Sequence, residues 1–156
     1  MTQREKTCCF TGHRSLNAAQ RAALAPVLAD TVRRLADEGV VYFGAGGAVG
    51  FDTLAAQAVL QVRRQRPALR LILVLPCPNQ PRGWPARDAA VYQRIKAQAD
   101  KVVYVSPCYL PGCMQRRNRH LVDGSGVCVA YCRKTAGGTA YTVDYAKERG
   151  LRVIML

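Results

Sequence analysis

Six short apolar runs alternate with five amphipathic stretches along this chain, and that alternation limits the fold more than any other feature. The runs are Thr7–Thr11, Val40–Phe43, Leu71–Leu75, Lys101–Val105, Val127–Tyr131 and Arg152–Leu156. Short, nearly continuous apolar segments read as strands covered on both faces, as parallel sheets require. Between them the apolar positions change to helical spacing. Leu24, Leu28, Val32 and Leu35 share a face within 17–38, as do Phe51, Ala55, Ala58 and Val62 in the next stretch. Val91, Ile95 and Ala99 align within 87–99, and Met114, Asn118 and Leu121 within 113–122; a last helix is expected from Thr139 to Glu148. Pro26 predicts a kink, or a short helix followed by a longer one. The alternation predicts an α/β fold: a Rossmann-like, doubly wound, mainly parallel sheet of five to six strands, helices on both faces, in one domain over residues 1–156.

Such sheets bind ligands outside the C-terminal ends of their strands, near the point where strand order reverses. The chain places its glycines and polar side chains in those loops. Gly12, His13 and Arg14 follow the first strand; Gly46, Gly47, Ala48, Gly50 and Asp52 follow the second. Strand, glycine turn and helix in succession favour an anion, because the helix start carries free N–H groups and positive dipole. The same glycines also suit a plain tight connection, and His13 and Arg14 also suit loop capping. Trp84, in the proline-rich loop after the third strand, reads as a stacking platform or as packing against the domain edge. Asn118 shares a helical face with apolar residues and so needs partners, from a loop backbone or a ligand. Gly137, Gly138 and Thr139 form a further glycine turn, where Thr139 caps a helix and offers a hydroxyl to phosphate.

Composition narrows the ligand class. The formal charge is +13, carried mostly by arginine, with only five lysines. Arginine suits planar contact with phosphate and stacking on bases, so nucleotides or nucleic acid fit, beside a plain solvated basic surface. Aromatic residues make up only 7% of the chain, and few lie beside the arginine clusters, which argues against an extended base-stacking track. The seven cysteines form no C-x-x-C pair and mostly sit in or beside apolar runs, so buried reduced thiols are expected, with no metal site and no cofactor. No apolar run reaches membrane-spanning length and the first residues lack a signal-like core; a cytoplasmic protein without a membrane partner is expected.

These motifs resemble the superfamily that unites DNA-processing protein A (DprA) with the "lonely guy" phosphoribohydrolases, abbreviated SLOG, and within it the small YpsA-like bacterial branch. Phe10-Thr-Gly-His-Arg14 resembles that branch's opening motif, and Gly46-Gly47-Ala48-x-Gly50-x-Asp52 the paired-glycine pattern of DprA. Arg116-Arg117-Asn118-Arg119 resembles its arginine-rich helix start, and Gly137-Gly138-Thr139 stands where the superfamily keeps a second phosphate loop. The resemblance implies a domain that binds a nucleotide or nucleotide-derived ligand, a sensor role included. Gly12, Gly46, Gly47, Gly137, Gly138 and Thr139 would cradle phosphate, Arg14 and Arg119 would pair with it, and Asn118 and Asp52 would fix loops or bond the ribose. Two other readings stand beside it: a nucleoside monophosphate hydrolase, and a DprA-like binder of single-stranded DNA, which the charge supports. The hydrolases carry Pro-Gly-Gly-x-Gly-Thr-x-x-Glu, whose glutamate works at the ribose of the scissile bond. Here Thr142 takes the glutamate's place, and Asp144 lies roughly 200° further round the helix. Asp52 is the one other acid in these loops worth considering, so release of free base is not expected. Oligomeric state stays open, a homo-oligomer included.

Overall fold

The computed structural model describes residues 1–156. Strands and helices alternate as β1 (Thr7–Gly12), α1 (Ala18–Asp37), β2 (Tyr42–Ala45), α2 (Phe51–Arg63), β3 (Arg70–Leu75) and α3 (Ala86–Gln98). They continue as β4 (Lys101–Tyr104), α4 (Cys113–Asp123), β5 (Val127–Tyr131), α5 (Gly138–Glu148) and β6 (Arg152–Met155). The six strands form one sheet in the order β4-β3-β2-β1-β5-β6, and every neighbouring pair is parallel. This is the expected doubly wound α/β fold.

Side chains alternate across the sheet, so each strand feeds two cores. On one face Cys8, Phe10, Phe43, Leu71 and Leu73 pack with Leu28, Val32 and Leu35 of α1, Ala55 and Val59 of α2, and Tyr92 and Ile95 of α3. On the other, Cys9, Val74, Cys128 and Ala130 pack with Leu121 and Val122 of α4 and Val143 and Ala146 of α5. α1 begins at a capping box in which Asn17 and Gln20 satisfy each other's backbone N–H groups, both at 2.8 Å.

Two local expectations change. α1 runs as a single helix through Pro26 instead of dividing. Pro26 and Ala22 are exposed, so the carbonyl that proline leaves without a donor faces water. β2 starts two residues late and takes in Gly44 and Ala45, part of the expected turn. Gly44 pairs with Cys9 and Ile72, and α4 leans on it: a Cβ there would lie 2.8 Å from Leu121 Cδ2. Trp84 packs edge-on against the buried Tyr92, with ring centroids 5.4 Å apart. All seven cysteines are free; five are buried, Cys132 is half-buried and Cys108 is exposed.

A parallel sheet places every strand-to-helix loop at one end. The chain leaves β4 at the sheet edge and re-enters at β5 beside β1, so strand order reverses between β1 and β5. The loops after β1 and β5 flank that reversal, and the loops after β2, β3 and β4 continue along the same edge.

Candidate functional site

The loops after β1 and β2 close on each other. Phe51 N–H, in the first turn of α2, donates to the His13 carbonyl at 3.0 Å. Gly50 holds a φ of +80°, and a side chain there would collide with the Arg14 carbonyl. The Phe51 ring fills the space beside Gly12 and stacks on Tyr131 at the end of β5, centroids 6.2 Å apart. Three strand ends are thus joined through one aromatic ring.

Beneath this joint lies Arg117, only 5% exposed. Its Nη1 donates to the Gly46 carbonyl, and its Nε donates to Asn118 Oδ1 at 2.8 Å. A Cβ on Gly46 would stand 2.5 Å from that Nη1, so the glycine makes room for a guanidinium. Asp52, 8% exposed, accepts from Ala48 N–H at 3.3 Å, and Thr53 Oγ1 donates to the Ala48 carbonyl at 3.0 Å. Burial raises the Asp52 carboxyl above its ordinary pKa, while the nearby positive charge of Arg117 and the Ala48 N–H pull it back. Gln80 Nε2 donates to Gly46 O at 3.3 Å, tying the loop after β3 to the loop after β2. A buried cation and a buried anion, each hydrogen-bonded to backbone, therefore fix Gly46 to Asp52 from two sides.

The loop after β5 meets the loop after β1. Arg133 N–H donates to His13 Nε2 at 2.7 Å, and the Arg133 guanidinium lies over the Tyr131 ring, 4.6 Å from its centroid. Partial burial, then Lys134 and Arg133, lower the His13 pKa from 6.5. Gly137 and Gly138 open into free space, with nothing within 4 Å of a Cβ built on either. They start α5, whose first N–H groups have no partner within the helix. Arg119 reaches across to this turn, its Nη1 3.5 Å from Tyr141 Oη. Along the edge, the loops after β1, β3 and β4 enclose a cavity of about 410 Å³ with Arg14 on its wall.

His13, Gly46, Gly47, Asn118 and Gly138 thus lie at one end of the sheet. The structure joins His13, Gly46, Ala48, Asp52 and Asn118 into one hydrogen-bonded framework, with Gly50 packed against the Arg14 carbonyl. Gly137, Gly138 and Thr139 stand apart from it, linked through Arg133 and through Arg119. In the sequence Arg117 is one of three arginines at 116, 117 and 119, and the motif alone does not say which of them is buried. The available signal was its spacing with Cys113 and Leu121, at i, i+4 and i+8, on the buried face of α4.

The sequence pattern of the YpsA family, described as the YspA SLOG family, matches residues 8–153. The chain belongs to that family. Among curated relatives, a UPF0398 protein of Halalkalibacterium halodurans is 28% identical over 140 residues, covering 88% of this chain and 71% of its own. Among solved structures, DNA processing protein A from Streptococcus pneumoniae superposes with a TM-score of 0.69 at 18% identity, over 98% of this chain and 50% of that one. DNA processing protein A from Helicobacter pylori, described for its single-stranded DNA binding mode, gives a TM-score of 0.67 at 22% identity, over 96% of this chain and 64% of that one. At these identities the likeness shows a shared fold. This chain spans half to two thirds of those two proteins. No helix in it is long and apolar enough to cross a membrane.

Two outcomes follow from the framework. Arg117→Ala removes the main positive charge acting on buried Asp52 and the guanidinium donor to the Gly46 carbonyl, and is expected to cost about 3–5 kcal/mol, whereas Arg119→Ala costs about 0.5 kcal/mol or less. Urea unfolding checks both, and equal losses would deny the buried pair its role. The lowered pKa means the unfolded chain takes up a proton at His13 before the folded one does. Stability is therefore full above pH 6.5 and falls as pH drops from 6.5 through the lowered folded value. Gln at position 13 keeps an acceptor for Arg133 N–H but does not titrate, so the stability difference between wild type and His13→Gln should shift with pH over that window and level off on either side.

Proposed function

We propose that this chain binds a nucleotide or a nucleotide-derived ligand across the C-terminal edge of its sheet, at the β1/β5 reversal. The observation that carries the reading is the open helix start at Gly137, Gly138 and Thr139, with Arg119 reaching beside it and Arg14 following the neighbouring strand β1. Free N–H groups at the start of α5 suit phosphate, and Arg119 adds charge beside them. Asn118 gives its carbonyl to Arg117, which leaves its amide N–H₂ to donate to a ribose hydroxyl. Gly12, Gly46, Gly47, Ala48, Gly50 and Asp52 shape and hold the loops, and His13 braces the turn after β5. A sensor role fits such a site, since closing a ligand between two loops changes what the edge presents.

In this reading the ligand is held and not cleaved. Thr142 is buried, with its hydroxyl donating to the Gly138 carbonyl at 2.8 Å, and it brings no charge to the ribose. Asp144 is exposed and Asp52 is sealed beneath Ala48. Cleavage of an N-glycosidic bond needs a carboxylate beside the positive charge that develops on the sugar.

A second reading, single-stranded DNA binding, is favoured by the +13 charge together with the fold shared with the Helicobacter pylori protein. Salt separates the two. An oligonucleotide held along an arginine track loses affinity with a slope of about −0.7 per neutralised phosphate, while a ligand enclosed at one site is less affected. Calorimetric titration at about 0.05 M and 0.15 M salt is expected to retain nucleotide binding and lose most oligonucleotide binding. Tight, salt-steep oligonucleotide binding with no nucleotide binding would reverse the ranking.

A further inference from the structure

The cavity of about 410 Å³ on the other side of Arg14 is lined by Asn79, Gln80 and Arg82 of the β3–α3 loop, Tyr109 of the β4–α4 loop and Met114 of α4. Its electrostatics are one-sided. Arg14 and Arg82 both border it, no carboxylate does, and neither guanidinium belongs to any of the ion pairs in the chain. Two like charges directed at one cavity repel each other, and an anion between them removes that cost while accepting hydrogen bonds from both forks. The Asn79 amide adds donors, and Gln80, bonded to Gly46, keeps the wall in register with the β2–α2 loop.

Position fixes what the anion belongs to. Arg82 lies in the loop after β3 and the turn at Gly138 in the loop after β5, and in the order β3-β2-β1-β5 the strands they leave are three spacings apart, about 14 Å. Arg14, after β1, stands between them. A ligand with a single phosphate at one end cannot bring negative charge to both places. One with two phosphates separated by a nucleoside can, because the second phosphate lies between Arg14 and Arg82, short of the β3 end, and their long side chains close the rest of the span.

We propose that this cavity is a second phosphate subsite, and that the ligand is dinucleotide-sized and doubly phosphorylated, one phosphate at the start of α5 and the other between Arg14 and Arg82. The inference rests on the nucleotide reading above for the first phosphate; the cavity's own preference for an anion does not.

The test uses the full chain, calorimetry at about 0.15 M salt, and three probes: nucleoside 5′-monophosphates, 5′-phosphorylated dinucleotides and inorganic pyrophosphate. The wild type is expected to bind at least one dinucleotide about tenfold or more tighter than the matching monophosphate. Arg82→Ala, an exposed loop substitution, is expected to abolish most of that gain while weakening the monophosphate less than about threefold. Arg82→Lys should recover part of the gain, having the charge but not the fork. Pyrophosphate should bind the wild type more tightly than Arg82→Ala. Equal affinity for mono- and dinucleotides, or an equal loss of both in Arg82→Ala, would overturn the second subsite and leave the nucleotide reading standing. Arg82-dependent pyrophosphate binding without any nucleotide binding would keep the cavity as an anion site and overturn both the dinucleotide ligand and the nucleotide reading.

Discussion

The C-terminal edge of this sheet depends on one buried guanidinium. Arg117 leaves the first turns of α4, passes under the loop after β2 and donates to the Gly46 carbonyl. A charge in that position is tolerable only because Asp52 lies close by and because backbone and Asn118 acceptors receive its N–H groups. The consequences spread along the edge. Gly46 has no side chain because Arg117 occupies that space. The β2–α2 loop then holds α2 where Phe51 can bond the His13 carbonyl, and Phe51 in turn stacks on Tyr131 at the end of β5. Loops after β1, β2 and β5 become one joined unit, bordered by the open N–H side of the turn at Gly137 and Gly138 and by the unpaired guanidiniums of Arg14 and Arg82.

The division of labour among the glycines follows from this. Those after β2 serve close approach of the protein to itself, against Arg117 and the Arg14 carbonyl. Those that open α5 meet nothing, and in the proposed reading they face a ligand's oxygens. Paired glycines therefore do different work at the two motifs, although the sequence writes both as glycine, glycine and a small residue.

The fold was legible because its signals are local and repeated. Apolar runs of four or five residues and helical faces such as Leu24, Leu28, Val32 and Leu35 each report burial through their own period; those four side chains are buried, while the runs at the two sheet edges, 101–105 and 152–156, are only partly covered. Boundaries were legible only where a cap or breaker is written in the sequence, as at Asn17. β2 was displaced because its glycines belong to the ladder, which depends on how closely α4 approaches and not on any nearby residue. The site was half legible. Its loops announce themselves by glycine and charge, but which of Arg116, Arg117 and Arg119 turns inward is decided by the packing of Cys113 and Leu121. The cationic cavity after β3 stayed hidden because Arg14 and Arg82 are far apart in sequence and meet only when β1, β2 and β3 lie side by side.

The central claim is that this edge is where the ligand sits, and amide chemical-shift mapping of isotope-labelled protein titrated with nucleotides tests it most directly. The account predicts the largest shifts at the β1–α1 and β5–α5 loops, around His13, Arg14, Gly137, Gly138 and Thr139, with smaller ones at Asn118 and Arg119, and none at the opposite end of the sheet around Thr7, Tyr42 and Val127. Shifts concentrated at that opposite end, or no shift with any nucleotide, would contradict it.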